Sequence, residues 1–429
     1  MKKNIFSFLV IYLLSSYCYS INIDTAIKST IENNPKVKIA LEKINESREL
    51  ISYSSGNKLP TITSSIEGTY SNADKKTNSI SSTPETFTDS YKLSVIQNIY
   101  DSGFNNLEIE RSKILYNNEL INFKSSIQDL ILDAINGYLT VINYEKSLEA
   151  TQKNYDSVLK AFEETKTRFD LGSATLYDIQ NAEASFAISK TNLFESEQNL
   201  EISKKTFDRI VGLKAINLVD IINIDTSVNL NVILENALKN NLQILLIKNN
   251  IKNKEILILK EKKSKLPSLD ISGTALYSNG GRIEDGTEQT SASVSLTLTV
   301  PLFKKGQDDS NIRKFKSQML QDEISLMDFK DDLQILISNA YKDFKVNESK
   351  MKSNLIIIKS IETSLKSLKA EYSIGTKTIN DLIDEEEKLL NANFNYLNSK
   401  KDYLLNYFNI KSLDGSLIQL FEKYLPSAN

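Results

Sequence analysis

Tyr372-Ser373-Ile374-Gly375-Thr376-Lys377-Thr378-Ile379-Asn380-Asp381-Leu382 decides the fold, because the chain carries the same pattern 203 positions earlier, as Phe169-Asp170-Leu171-Gly172-Ser173-Ala174-Thr175-Leu176-Tyr177-Asp178-Ile179. In each copy a long apolar-periodic segment runs into one glycine, and a second periodic segment starts at a threonine. Gly172 and Gly375 can take the left-handed backbone that closes a helix. Thr175 and Thr378 fit as N-caps, with Asp178 and Asp381 three residues on to favour the helix start. Each stretch is therefore expected to be the tip of a long helical hairpin.

Outward from the tips, the apolar stride is seven. Leu120, Ile127, Ala134, Val141, Leu148, Tyr155, Phe162 and Phe169 lead into the first tip, and Ile179, Phe186, Leu193, Leu200 and Phe207 leave it. Ile337, Phe344, Met351, Ile358, Leu365 and Tyr372 lead into the second, followed by Leu382, Leu389, Tyr396, Tyr403 and Ile410. That period predicts coiled-coil packing. The unbroken helix from Phe104 to Leu171 spans roughly 100 Å at 1.5 Å per residue. Its partner after the tip reaches only half as far. A helix from Asp24 to Gly56, with a restart near Pro35, supplies the missing length.

Between that helix and the long one, two segments alternate. Ile62, Ile66 and Tyr70 fall on one face against Thr61, Thr63, Ser65, Glu67 and Thr69. Tyr91, Leu93, Val95, Gln97 and Ile99 oppose Lys92, Ser94 and Asn98. Both predict strands, joined by a polar loop over Asn72–Thr86. The second copy repeats the order: a helix from Asn231 to Lys263, a strand with Leu269, Ile271, Ala275 and Tyr277, a loop over Ser278–Gln289, and a strand with Ala292, Val294, Leu296, Leu298 and Val300. The offset is 207 from Pro60 to Pro267 and 203 from Gly103 to Gly306, so the difference falls in the strand hairpin. The expected division is a leader over 1–20, a first structural repeat over 21–212, a linker over 213–230, a second repeat over 231–413 and a C-terminal tail over 414–429.

Composition narrows the function. Charged residues make up 25% with a net charge of −3, which leaves no basic face for nucleic acid. There is no histidine, and the single cysteine, Cys18, sits in the leader. Ordinary zinc, haem and iron–sulfur sites and histidine triads are thereby unsupported, and neither cofactor nor enzymatic activity is expected. Met1–Ser20 has Lys2 and Lys3, an apolar run from Ile5 to Leu14 and small residues at Cys18 and Ser20, the plan of a secretory leader. The rest has no apolar run long enough for a membrane helix, so entry into a membrane requires a β-barrel. Four strands cannot close one; several chains must do so together, with the polar strand face lining the lumen.

These features resemble the TolC-like outer-membrane efflux proteins over essentially the whole chain after the leader. The resemblance rests on Arg168-Phe169-Asp170-Leu171-Gly172 and Tyr372-Ser373-Ile374-Gly375-Thr376 at the tips. It also rests on the strand exits Gln97-Asn98-Ile99-Tyr100-Asp101-Ser102-Gly103 and Val300-Pro301-Leu302-Phe303, and on Asn409-Ile410-Lys411-Ser412. The family has a proline in both strand exits; here Asn98 replaces the first. The resemblance implies a mainly α fold with a β-barrel portion. Three chains would complete a 12-stranded barrel in the outer-membrane lipid, and the helices would line a periplasmic tunnel. It implies a homotrimer that works with a periplasmic adaptor (membrane fusion) protein and an inner-membrane pump, in drug efflux, type I protein secretion or metal export. A secreted coiled-coil tether is the competing reading, but a tether needs no polar/apolar strand pairs.

Asp381 and Asp384 share one face of the first turn after the second tip. Acids there complement the helix dipole; if three tips converge, they form carboxylate rings of the kind found in cation-preferring pores. The resemblance places the periplasmic constriction at these two residues. It also assigns Lys377, Tyr372 and Asp178 to the links that hold the tip closed.

Overall fold

The computed structural model describes residues 20–72, 75–77, 80–82, 85–221, 228–282 and 285–426. The expected leader up to Tyr19, the centre of the expected linker and the last three residues of the expected tail lie outside them.

The first half begins with helices α1 (Ile23–Asn33) and α2 (Pro35–Gly56). Strand β1 (Thr61–Asn72) follows, then the short β2 (Lys75–Thr77) and β3 (Ile80–Ser82), then β4 (Glu85–Tyr100). Helix α3 (Phe104–Asp170) runs 67 residues to the first tip, and α4 (Leu176–Val211) returns from it. The second half holds α5 (Leu230–Asn240), α6 (Leu242–Lys263), β5 (Ser268–Arg282), β6 (Asp285–Thr299), α7 (Gln307–Ser373) and α8 (Ile379–Leu413). Helix α7 is again 67 residues long. A single turn, α9 (Leu417–Leu420), and a 3-10 turn at Glu422–Tyr424 follow.

The heptad positions make the core. Ile127, Ala134, Val141, Phe207, Ile337, Phe344 and Ile410 are fully buried, each large side chain contributing roughly 1.5–3 kcal/mol. α3 packs on α2 and α4 along one flank and on α6 and α8 along the other, and α7 packs on α6 and α8. The shorter helices stack end to end beside the long ones, and the joints explain how. Asn34 caps α2 by accepting from the Lys36 N–H, and its amide donates to the Ile210 carbonyl at the end of α4 (3.1 Å). Asn241 repeats both contacts, capping α6 at Gln243 and donating to Leu413 O at the end of α8 (3.0 Å). One asparagine thus starts the next helix and satisfies a carbonyl that the previous one leaves open. At the same level the Tyr138 hydroxyl sits 2.9 Å from Ile21 O and 2.6 Å from Val219 O. It pins the segment after α4 against α3.

The strands form one antiparallel sheet in the order β1-β4-β5-β6. Its register puts Ile62, Ile66 and Tyr70 opposite Val95, Tyr91 and Phe87. Tyr91 then faces Tyr277, and Ile271 faces Leu296. One face is therefore apolar, and the other carries Thr63, Ser94, Thr274 and Ser293 in one row. The apolar face is open, with Ile66 74% and Val294 78% exposed. Asn98, at the bulge beside Tyr100, donates to Asp270 Oδ1 (2.8 Å).

The expected polar loops are shorter than their polarity suggested. β5 and β6 pair down to Arg282 and Asp285, so most of Ser278–Gln289 is strand. Within Asn72–Thr86, Lys75–Thr77 and Ile80–Ser82 pair as a second small hairpin, and β4 starts at Glu85. Polarity reports what surrounds a strand, whereas pairing needs only backbone groups. The expected helix over Asn231–Lys263 matches the first one, restarting at Asn241 as the first restarts at Asn34.

Candidate functional site

The two tips are built alike from local chemistry. Gly172 and Gly375 sit at φ +74° and +80°, where a side chain is strained. Ser173 N–H donates to Arg168 O (2.7 Å) and Thr376 N–H to Glu371 O (3.0 Å), closing each long helix in the manner of a Schellman turn. Both expected caps form as full capping boxes. Thr175 Oγ1 accepts from the Asp178 N–H (3.2 Å), while the Asp178 carboxylate accepts from the Thr175 N–H (3.0 Å) and hydroxyl (2.7 Å). Thr378 and Asp381 do the same, with the carboxylate at 2.9 and 2.8 Å.

These bonds set the electrostatics. The Thr175 hydroxyl and then its backbone N–H hold Asp178 below the usual aspartate range. The Thr378 backbone N–H, then its hydroxyl, hold Asp381 down, and Lys377 adds to the effect. Asp384, one turn on, is exposed. The acids behind it divide. Glu385 pairs with Lys388 on its own helix (3.1 Å). Glu386 is only 7% exposed and takes Lys369 of α7 at 2.8 Å. The acidic run after the second tip therefore serves two surfaces, and Asp381 and Asp384 are the pair nearest the turn.

Tyr372 is buried, 8% exposed, and packs with Ala161, Ala182, Ile379 and Ile383. Its ring lies beneath the Arg168 guanidinium at 4.6 Å, a cation–π contact, and its hydroxyl finds no hydrogen-bond partner. Within the chain, then, Tyr372 meets Arg168, and Asp178 is engaged by its own cap. Lys377 is exposed on the turn. Sequence reasoning missed two contributors. Arg168 belongs to the tip pattern, and a cation four residues before a tip glycine and level with an aromatic of the other hairpin is the signal that marks it. The second is the bond from Asn181 Nδ2 to Asn380 Oδ1 (2.7 Å), which ties α4 to α8 just behind the tips. A cavity of about 680 Å³, lined by Lys160, Arg168, Lys369, Tyr372, Leu382 and Glu386, opens between the hairpins there.

Among the described residues, no helix is long and apolar enough to cross a membrane and no cluster of side chains could hold a metal. The exposed apolar face of the sheet is the surface suited to lipid.

Comparison with known proteins agrees with this geometry. Residues 26–213 match the model of the outer membrane efflux protein family. Outer membrane protein TolC of Escherichia coli is 25% identical over 395 residues, covering 88% of this chain and 77% of that protein. The alkaline protease secretion protein AprF of Pseudomonas aeruginosa is 19% identical, covering 94% and 86%. Among solved structures, the Campylobacter jejuni CmeC outer membrane channel superposes with a TM-score of 0.79 at 16% identity, covering 95% of this chain and 90% of that one, a likeness of fold. Sequence, fold and tip architecture together liken this chain to the TolC-like outer-membrane efflux proteins and support its reading as an outer-membrane efflux or secretion duct with a periplasmic helical part.

Proposed function

We propose that three copies of the chain assemble into one duct. The observation that carries this is the sheet, which has four strands, an unpaired edge at β1 and another at β6. An open edge in lipid leaves backbone groups unsatisfied; pairing β6 of one copy with β1 of the next removes every edge and makes a 12-stranded barrel from three four-stranded sheets. The repeats at 21–212 and 231–413 then alternate around the axis, joined by the 213–230 linker, with 414–429 as a tail. Asp381 and Asp384 of three copies form the periplasmic constriction. Asp178 and Tyr372, engaged within the chain by Thr175 and Arg168, meet Lys377 only across copies, and that contact holds the tips closed. The duct is passive; an inner-membrane pump supplies energy and a periplasmic adaptor joins the two. Mass measurement in detergent after mild crosslinking is expected to give a trimer. A stable monomer at the same protein concentration overturns the reading.

A further inference from the structure

Where the sheet meets the helical rods, Leu302 (92%) and Phe303 (83%) are the two most exposed large apolar side chains of the described residues. They follow Pro301. The two-residue alternation of Val294, Leu296, Leu298 and Val300, the lipid-facing row of β6 and its exit, ends on Leu302. In the first repeat the corresponding residues, 203 positions back, are Ile99 and Tyr100, each about half exposed. The apolar band thus extends past the last paired residues.

Five lysines gather at the same level: Lys262 and Lys263 at the end of α6, Lys265 just after it, and Lys304 and Lys305 just before α7. Lys265 and Lys304 line a shallow cavity of about 210 Å³ together with Leu302, Phe303, Asp308 and Asp309. Lys265 pairs with Asp309, and Lys304 lies 3.7 Å from Asp308 and donates to Ser264 O at 2.7 Å. Among the described residues Lys262, Lys263 and Lys305 make no ion pair. The turns themselves do not require these charges. In the first repeat the corresponding residues are Ser55, Gly56, Lys58, Asp101 and Ser102. Ser102 and Lys305 even share the same left-handed backbone, φ 57° and 54°. One repeat therefore makes the junction with a single lysine and an aspartate, and the other with five lysines.

We propose that this rim of the second repeat binds anionic phospholipid headgroups of the periplasmic leaflet. Leu302 and Phe303 sit among the first acyl carbons, and the lysines meet the phosphates. The proposal rests on the sheet being the membrane-embedded part. Charge complementarity and continuity with the lipid-facing row single out lipid over a neighbouring copy. Edge pairing of β6 with another chain uses the backbone in the plane of the sheet and leaves the Leu296–Leu298 row facing outward. Juxtamembrane lysines favour anionic lipid by about fivefold each, and their aliphatic stems lie along apolar surface while the charge stays in water.

The chain has no tryptophan, so one indole reports one place. Phe303→Trp is compared with Leu296→Trp, each reconstituted as the full-length assembly in vesicles of phosphatidylcholine and phosphatidylglycerol, with bromine on the acyl chains of one lipid at a time. Leu296→Trp is expected to be quenched equally by both. Phe303→Trp is expected to be quenched preferentially by the brominated phosphatidylglycerol, with an enrichment of at least about fivefold. That preference should vanish when Lys262, Lys263 and Lys305 are all changed to Gln, and fall in high salt. Quenching without lipid preference, or a preference that survives the triple change, overturns the proposal. Quenching at position 296 but not at 303 means that a neighbouring copy covers the rim, and overturns it too. Failure to quench at 296 removes the membrane reading of the sheet, and the rim falls with it.

Discussion

The tip is made of side chains with unequal roles, and two of them can be tested singly. The Tyr372 hydroxyl is buried without a partner, so desolvating it opposes folding; burial also pushes its pKa above the usual tyrosine value. Tyr372→Phe keeps the ring under Arg168 and removes that penalty. Within the single chain this alone would leave stability unchanged or raise it by about 1 kcal/mol; in the assembled protein, where the hydroxyl is proposed to meet Lys377 of the next copy, Tyr372→Phe is expected to lose stability instead, as measured by denaturant unfolding. No loss in the assembly shows that the hydroxyl has no partner across copies, against a gating link. The capping aspartates respond to pH with a definite sign. Asp178 and Asp381 are both lowered by the bonds they accept. Their contribution is present above the unfolded aspartate value, roughly 3.9, and is lost as pH falls through the lower folded values. Amide exchange at the first turns of α4 and α8 should accordingly accelerate on acidification below that range, more than at the middle of either helix.

At the scale of elements, the stride of seven, the tip glycines and the alternating strands were all legible in the sequence, because each is a local rule repeated many times. The joints were not. That Asn241 both caps α6 and reaches Leu413 O depends on two helix ends meeting across 172 residues, and no local pattern encodes that meeting. Nor could polarity separate strand from loop at Ser278–Gln289. At the tip, the partner of Tyr372 comes from the opposite hairpin, which no local pattern shows. Two glycines measure the difference between local and joint constraints. Gly375 has φ +80° and open space where a Cβ would go; Gly415 has φ +76°, and its Cβ would lie 2.5 Å from Asn240 O. Gly375→Ala carries only the left-handed penalty, about 1–2 kcal/mol. Gly415→Ala must also displace backbone, and is expected to lose at least about 1–3 kcal/mol more. Equal losses in paired unfolding measurements contradict the close packing of the α8 end on the α5–α6 joint.

The proposed assembly would have a property that no single chain has. In one chain Asp381 serves its helix cap and Asp384 is an ordinary exposed acid. In the proposed trimer, which would bring three copies to a common axis, they would become stacked carboxylate rings, whose field would be focused by the narrow opening and by low-dielectric walls. The first repeat has Asp178 and Asn181 in these places, and Asn181 is committed to Asn380, so the proposed rings would come from the second tip alone. Replacing both acids, Asp381→Ala with Asp384→Ala, is expected to weaken cation selectivity and to abolish block by multivalent cations from the periplasmic side. Removing an exposed acid from a helix start weakens that start only modestly, so the assembly should persist. Lys377→Ala should act differently, raising conductance by loosening contacts between copies while selectivity stays. Single-channel recording in planar bilayers on the three proteins separates the two effects. A double variant that remains assembled, yet keeps its original selectivity and cation block, reduces Asp381 and Asp384 to helix-start residues. The constriction must then be sought among the Arg168, Tyr372 and Asn380 contacts behind the turn.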